Sequence, residues 1–144
     1  MMPFRFVDEI TTADVAFEAW GRSLEELFVS AAAALLCTMS AAPEQVMRRQ
    51  ELIFRLEHEK LDLLLLLFLQ ELIFYKDARK LLLHAEHVGI VEREGLFYLD
   101  ALVSGEQLDA GRHCLLVDVK AVTLHRLQLQ FEEGLWKAVV VLDV

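Results

Sequence analysis

Residues 60–75 read KLDLLLLLFLQELIFY, and this stretch decides the fold. Its uninterrupted apolar run, residues 63–69, is well short of the roughly 20 residues that a membrane span needs. A helix built from the stretch would be apolar on nearly every side, which is typical of a helix deep inside a domain. The sequence therefore predicts a buried central helix at residues 60–75.

Alternating apolar and polar residues surround this helix and predict strands, because successive side chains of a strand point to opposite faces. Before the helix, the predicted strands cover residues 4–6, 15–19 and 52–57. Between the second and third strands, Ser23 and Glu26 have the spacing of a capping box, which predicts a helix that begins there and continues to Met39. The first half of the chain is thus predicted as strand, strand, helix, strand.

The second half of the chain is predicted to contain four more strands joined by short connections. The first of these strands begins at residue 81, and the other three cover residues 96–103, 117–129 and 136–144. The connections are predicted at residues 94–95, 105–111 and 132–134. Long-range antiparallel pairing of these strands predicts an α+β fold, mainly an antiparallel sheet with two helices packed on one face. Residues 1–144 are expected to form a single domain.

Composition limits the function classes that fit. Of the 144 residues, 56% are hydrophobic, which excludes intrinsic disorder, and the formal net charge is −9. This negative charge weighs against tight, self-sufficient nucleic-acid binding, since phosphate neutralisation requires clustered lysine and arginine. The first residues lack the basic region and apolar stretch of a signal peptide, so a cytoplasmic location is expected.

Several residues that often carry chemistry are interpreted as structural. Cys37 and Cys114 lack CxxC spacing and are predicted to be small buried hydrophobic residues, in keeping with a reducing cytosol. His84 and His87 lie in a predicted strand, where an odd separation places side chains on opposite faces, so they are not expected to chelate one ion. The sequence contains no nucleophile elbow, P-loop, HExxH or dinucleotide-binding motif, which favours a binding role over catalysis.

Four segments that span almost the whole chain resemble the archease family, in the same order. They are Thr12-Ala13-Asp14-Val15, residues 62–72 of the central helix, Val119-Lys120-Ala121-Val122-Thr123-Leu124-His125, and Val141-Leu142-Asp143. The Lys-Ala-Val-Thr sequence and the aspartate near the end of the chain are the most specific of these features. A leucine-rich helix by itself would carry little weight.

The resemblance implies a metal site and a partner. It assigns Asp14 and Asp143 as ligands of a divalent ion, Ca²⁺ or Mg²⁺, with main-chain oxygens of Val144 as further ligands. Hard divalent ions prefer such clustered carboxylate and carbonyl oxygens. Archeases are accessory proteins of RtcB-type RNA ligases, whose guanylylation and repeated turnover they promote in tRNA splicing. The chain is therefore expected to be an activator rather than an enzyme, and to meet RNA only through the ligase.

Two further positions are candidate supporting residues. Lys120 stands in an apolar, strand-like segment and would either pair with the acidic cluster or point outward to solvent. Thr11 stands where archeases typically carry a histidine, which is a departure from the family pattern. Without the resemblance, the simplest interpretation of Asp14 and Asp143 is a turn cap and a solvated charge.

Two other functions fit the same residues. In a metal-dependent phosphoester hydrolase the two aspartates would help to activate water, but the sequence offers no evident general base. A chaperone-like interaction module would instead use exposed edge strands, and its activity would not depend on the aspartates. The ligase activator remains the leading hypothesis.

Overall fold

The computed structural model describes residues 3–7 and 14–144, and its elements follow the predicted order. They are β1 (Phe4–Val7), β2 (Asp14–Gly21), α1 (Leu24–Met39), β3 (Gln50–His58), α2 (Leu61–Arg79), β4 (Leu81–Arg93), β5 (Leu96–Gln107), β6 (Ala121–Glu132) and β7 (Leu135–Asp143). A short 3-10 helix, Pro43–Gln45, lies between α1 and β3. Thr11 lies outside the described residues, so its predicted supporting role stays a prediction.

The strands form two antiparallel sheets. One sheet has the order β1-β2-β7-β6 and the other has the order β3-β5-β4. Both helices contact strands of both sheets, and the hydrophobic core lies where helices and sheets meet. The predicted α+β class with two helices and antiparallel strands is confirmed. Alternation shows which face a side chain takes but not which strands pair, so it does not indicate the division into two sheets.

Helix α1 begins at the predicted capping box. The Glu26 amide donates to Ser23 Oγ at 3.1 Å, and the Arg22 amide donates to the Glu26 carboxylate at 2.7 Å. Two backbone N–H groups at the start of the helix are thereby satisfied. The run of four alanines, residues 31–34, lets the helix approach strands β2 and β4 closely.

Helix α2 is buried as predicted and connects the core. The ring of Phe68 packs against Phe28 of α1 and Phe54 of β3, with centroid separations of 5.8 and 6.3 Å. The helix runs one turn beyond the predicted end and closes at Lys80, whose left-handed φ of 55° is typical of a helix C-cap. Neither helix of the described ranges has the length and apolar character that crossing a membrane requires.

Strand β5 is longer than predicted, because Gly105 lies inside the sheet rather than in a loop. It pairs with Gln50 of β3 and Leu83 of β4. A β-carbon at this position would lie 1.7 Å from the Leu82 carbonyl oxygen, so only glycine allows the strands to approach this closely.

Replacing Gly105 with alanine is expected to lower the free energy of unfolding by about 1–3 kcal/mol, the range typical of overpacking in a close-packed interior. Gly89→Ala is the matched control, because a β-carbon there meets only the Asp100 carbonyl oxygen at an ordinary 3.9 Å. Urea unfolding of both variants measures the difference. Equal stability of the two variants would contradict the close approach at Gly105.

A β-bulge next to His87 changes the interpretation of the two histidines in β4. The bulge places His84 opposite Ser104 and His87 opposite Leu102, two positions that share one face of the sheet. The prediction that the histidines lie on opposite faces is therefore wrong. His84 Nε2 nevertheless donates to the Val46 carbonyl oxygen at 3.0 Å, so the ring has a structural partner.

The two cysteines differ in environment. Cys37 is half-buried on α1, and burial raises the pKa of its thiol. Cys114 is exposed and has a left-handed φ of 51°, so the prediction of a buried residue is wrong for it. β6 begins at Ala121 rather than at residue 117, and Cys114 lies in the segment between β5 and β6 that crosses the surface.

Candidate metal-binding site

The start of β2 and the end of β7 bring Asp14 and Asp143 together. The strands run antiparallel, and the first residue of β2 lies directly opposite the last residue of β7. Side chains of directly opposed residues project from the same face, with β-carbons roughly 4.5–5.5 Å apart. Both aspartates are half-buried. Two residues from opposite ends of the sequence thus form one acidic pair.

A divalent cation fits this acidic pair on physical grounds. Like charges directly opposite each other destabilise a strand pair, and a cation between the carboxylates removes that repulsion. Val144, whose main-chain oxygens are the other predicted ligands, follows Asp143 directly and is half-buried. Such a donor set contains only oxygen, which suits Ca²⁺ or Mg²⁺ better than zinc.

The acidic pair is a small site. Within residues 3–7 and 14–144, no group of three or more histidine, cysteine, aspartate or glutamate side chains is arranged to hold a metal ion. An ion bound between Asp14 and Asp143 would therefore complete its coordination with main-chain oxygens and water, as Ca²⁺ and Mg²⁺ sites commonly do.

Lys120 adjoins the acidic pair through its backbone. Its amide donates to the Asp143 carbonyl oxygen at 2.8 Å, and the next residue, Ala121, lies opposite Asp143. The Lys120 side chain is exposed, which matches the outward-facing alternative. The structure therefore brings the Lys-Ala-Val-Thr segment to the site as the strand that flanks β7.

The end of that segment forms a surface bulge in β6. The register with β7 shifts between Thr123 and Gln128, so residues 124–127 are not paired with β7, and residues 124–126 are exposed. Arg126 is left-handed within the bulge at φ 57°, and His125 is exposed. The bulge lies on β6, the edge strand next to β7, and begins three residues after Ala121, which lies opposite Asp143.

Lys76, a buried lysine that plays no part in the sequence-based predictions, binds the segment that precedes β6. Lys76 Nζ donates to the Val119 carbonyl oxygen at 2.7 Å, to the Asp77 carboxylate at 2.7 Å, and to the Asp118 carboxylate. Burial alone would lower the pKa of the Lys76 ammonium, but its hydrogen bonds to Asp118 and Asp77 outweigh burial and raise that pKa. The only sequence signal is a lone lysine at the end of a strongly apolar helix.

Replacing Lys76 with methionine is expected to lower the free energy of unfolding by about 2 kcal/mol, because the buried Val119 carbonyl oxygen loses its donor. The lysine's contribution is fully present below its unfolded pKa of about 10.4 and is lost as pH rises through the higher folded-state value. Lys137→Met is the control, since the surface pair of Lys137 with Glu132 is long, at 3.9 Å. Similar losses of stability in both variants would show that the buried hydrogen bonds of Lys76 contribute little.

A second buried network, around Glu106, was also missed. Arg112 Nη2 donates to this carboxylate at 2.5 Å, the Met47 amide at 2.7 Å, His113 Nε2 at 2.9 Å and Arg49 Nε at 3.1 Å. The hydrogen bond from Arg112 is the main cause that holds the Glu106 pKa far below its usual range, against the opposing effect of burial. Every partner comes from a neighbouring loop, so the network fastens those loops to the end of β5.

A cavity of about 1010 Å³ lies at the other end of β2 from the acidic pair, beside Trp20 and Gly21. Its lining is largely apolar, and its carboxylates have structural partners. Glu26 caps α1, and Glu25 accepts a hydrogen bond from the Ile90 amide at 3.3 Å. The cavity therefore offers no support for a hydrolase that acts through Asp14 and Asp143.

The fold and the site define the class of protein: a two-sheet α+β protein with a pair of aspartates where the first long strand meets the last. The family model described as "Archease protein family (MTH1598/TM1083)" matches residues 4–144. The chain belongs to the archease family.

Relatives and solved structures agree with this assignment. The chain is similar to "Protein archease" of Methanothermobacter thermautotrophicus, with 34% identity over the full length of both chains. It is also similar to "Protein archease" of Pyrococcus furiosus, with 31% identity over 92% of this chain and 94% of that protein.

Two solved structures share the fold. The solution structure of Methanobacterium thermoautotrophicum protein 1598 has a TM-score of 0.85 and 34% identity, with full coverage of both chains. The crystal structure of a Thermotoga maritima protein described as "an archease, possible chaperone" has a TM-score of 0.63 and covers 97% of this chain and 98% of that one. At 20% identity, the second match supports the fold alone.

Proposed function

We propose that this archease is a metal-binding accessory protein that activates a GTP-dependent RtcB-type RNA-splicing ligase, promoting guanylylation of the ligase and multiple turnover. The observation that carries the proposal is the direct cross-strand opposition of Asp14 and Asp143. Membership of the archease family supports it, because activation of an RtcB-type ligase is the function that the resemblance to this family implies.

The chain's own residues would hold and present the ion. Asp14 and Asp143 would supply carboxylate oxygens, and Val144 would supply main-chain oxygens. A bound Ca²⁺ or Mg²⁺ supplies positive charge that can neutralise a phosphate group. The hydrogen bond from the Lys120 amide to the Asp143 carbonyl oxygen fixes the end of β7, so that the acidic pair keeps its place on a rigid strand.

Charge also supports an indirect role in RNA processing. With a net charge of −9, the chain is poorly suited to hold RNA itself, whereas an acidic surface complements a basic, RNA-binding partner. The ligase would bind the RNA and carry out catalysis, and the archease would prepare the ligase. In this proposal the archease is not an enzyme and works in the cytoplasm.

The test is RNA joining by the cognate ligase with RNA in large excess, with and without this protein. We expect the ligase to complete many cycles with the protein and to stall after about one cycle without it. Identical progress curves would contradict the proposal. A parallel incubation of the protein alone with phosphoester substrates and Mg²⁺ or Mn²⁺ should show no turnover, and turnover there would favour the hydrolase.

A chaperone-like interaction module is the second candidate. The observation that favours it is the large cavity beside residues 86–91 of β4, an edge strand of the three-stranded sheet. Edge strands can accept an additional strand from another chain. Ligase stimulation that persists after both Asp14 and Asp143 are changed to asparagine would support this candidate over the metal-dependent activator.

A further inference from the structure

Residues 114–118, which we name the strap, expose three large apolar side chains in a row. All five residues of the strap are exposed, including Leu116 at 57% and Val117 at 42%. Runs of three or more exposed apolar residues are unusual on a folded surface unless they serve binding. The strap is flanked by His113 and Val119, which are both fully buried.

Hydrogen bonds of its backbone hold the strap in place. The Leu116 amide donates to the Met39 carbonyl oxygen at 2.9 Å, and the Ala41 amide donates to the Cys114 carbonyl oxygen at 3.0 Å. At the other end, Lys76 binds both Asp118 and the Val119 carbonyl oxygen. A surface whose backbone is fixed before binding loses little conformational entropy when a partner covers it.

Helix α2, which binds the end of the strap through Lys76, carries a further exposed apolar side chain. Gln70, Phe74 and Asp77 are three and four residues apart and therefore lie along one face of the helix. Gln70 accepts from the Val122 amide at 2.6 Å, and Asp77 shares Lys76 with Asp118, so this face lies near the end of the strap and the start of β6. Phe74, between them, is 55% exposed.

The strap leads directly to the acidic pair. Two residues after Asp118, the Lys120 amide binds the Asp143 carbonyl oxygen. Asp118 and Asp77 are themselves well exposed, with 75% and 55% of their side-chain surface accessible. The strap is therefore bordered by carboxylates, and the chain that follows it is hydrogen-bonded to the end of β7 at Asp143.

We infer that the strap and Phe74 form the docking surface for the ligase. This inference rests on the proposed function and adds the place of contact. A ligase bound here would present an apolar hollow for Leu116, Val117 and Phe74, bordered by basic side chains opposite Asp77 and Asp118. A partner seated on this surface would also lie close to the end of β7, where the backbone of Asp143 is bound by Lys120.

The test is the affinity of the full-length protein for its cognate ligase, measured by calorimetry for wild type and for the double variant Leu116→Ser, Val117→Ser. We expect the double variant to bind at least tenfold more weakly, as for central apolar residues of an interface. Ile53→Ser is the matched control, because Ile53 is 63% exposed on the three-stranded sheet, and its affinity should stay within about twofold of wild type. Phe74→Ser tests the surface independently. Thermal unfolding checks that all four proteins are folded.

The possible outcomes distinguish a failure of the docking surface from a failure of the proposed function. If wild type stimulates the ligase and the double variant and Phe74→Ser bind as tightly as wild type, the docking surface is wrong and the proposed function stands. If wild type neither binds nor stimulates the ligase, both claims fail. If wild type forms a dimer in sedimentation and the double variant is a monomer with unchanged ligase affinity, a second copy of the chain covers the strap and the inference is overturned.

Discussion

Asp143→Asn is expected to return ligase turnover to the level seen without any added protein. Asparagine keeps the size of the side chain and the β2–β7 pairing, but a neutral amide is a poorer ligand for a hard divalent cation. We expect the affinity of the protein for Ca²⁺ or Mg²⁺, measured by calorimetry, to fall at least about tenfold. Loss of a residue that only supports a metal ligand already lowers metal affinity by about that factor, and Asp143 would be a ligand itself. Asp14→Asn should behave in the same way.

Asp100→Asn is the control for this prediction. Asp100 is an exposed aspartate on β5, where it pairs with Arg55 at 3.2 Å, far in sequence and in a different sheet from the acidic pair. Its replacement should leave both metal affinity and ligase turnover unchanged. Retention of full stimulation by Asp143→Asn, with the control also active, would rule out a role for the acidic pair.

Glu106→Gln is expected to lower the free energy of unfolding by about 3 kcal/mol, because removing one partner of a buried ionic network leaves the remaining groups poorly satisfied. The carboxylate is 4% exposed and accepts from two arginines, a histidine and a backbone amide. Urea unfolding at neutral pH measures the loss. Glu86→Gln is the control, since the Glu86 side chain is 29% exposed and holds fewer partners.

The same network predicts how stability depends on pH. The Glu106 pKa is depressed in the folded state, so its contribution to stability is fully present above the unfolded value of about 4.3 and is lost as pH falls through the lower folded-state value. The stability difference between wild type and Glu106→Gln should therefore narrow as pH falls below about 4.3. A difference that does not change with pH would mean that the charge of Glu106 is not what stabilises the protein.

Much of the fold could be predicted from local patterns. The capping box at Ser23 and Glu26, the apolar helix around Phe68 and the alternation of the strands all act over a few residues, and all are present in the structure. Gly105 was misassigned because glycine signals a loop in most contexts, whereas here it allows two strands to approach closely. The bulge in β4 could not be predicted from the sequence, because its extra residue is defined by the pairing of β4 with β5, and local sequence patterns do not show which strands pair.

The candidate site divides in the same way. The resemblance to archeases pointed to Asp14 and Asp143, and the register of β2 with β7 places these two residues opposite each other. The networks of Lys76 and Glu106 could not be predicted, since each joins a helix or strand to distant loops through contacts that leave no periodic signal. The last two residues of the strap, 117 and 118, are predicted as the start of a strand, because alternation does not show whether a partner strand is present.

The most direct test of the account is transfer of GMP from GTP labelled in the α-phosphate to the cognate ligase, with Mg²⁺ or Mn²⁺ present. Wild type, Asp143→Asn and a reaction without added protein are compared. We expect wild type to raise the yield of covalent ligase–GMP and Asp143→Asn to leave it at the level without added protein. Equal yields in all three reactions would contradict a metal-dependent role in guanylylation.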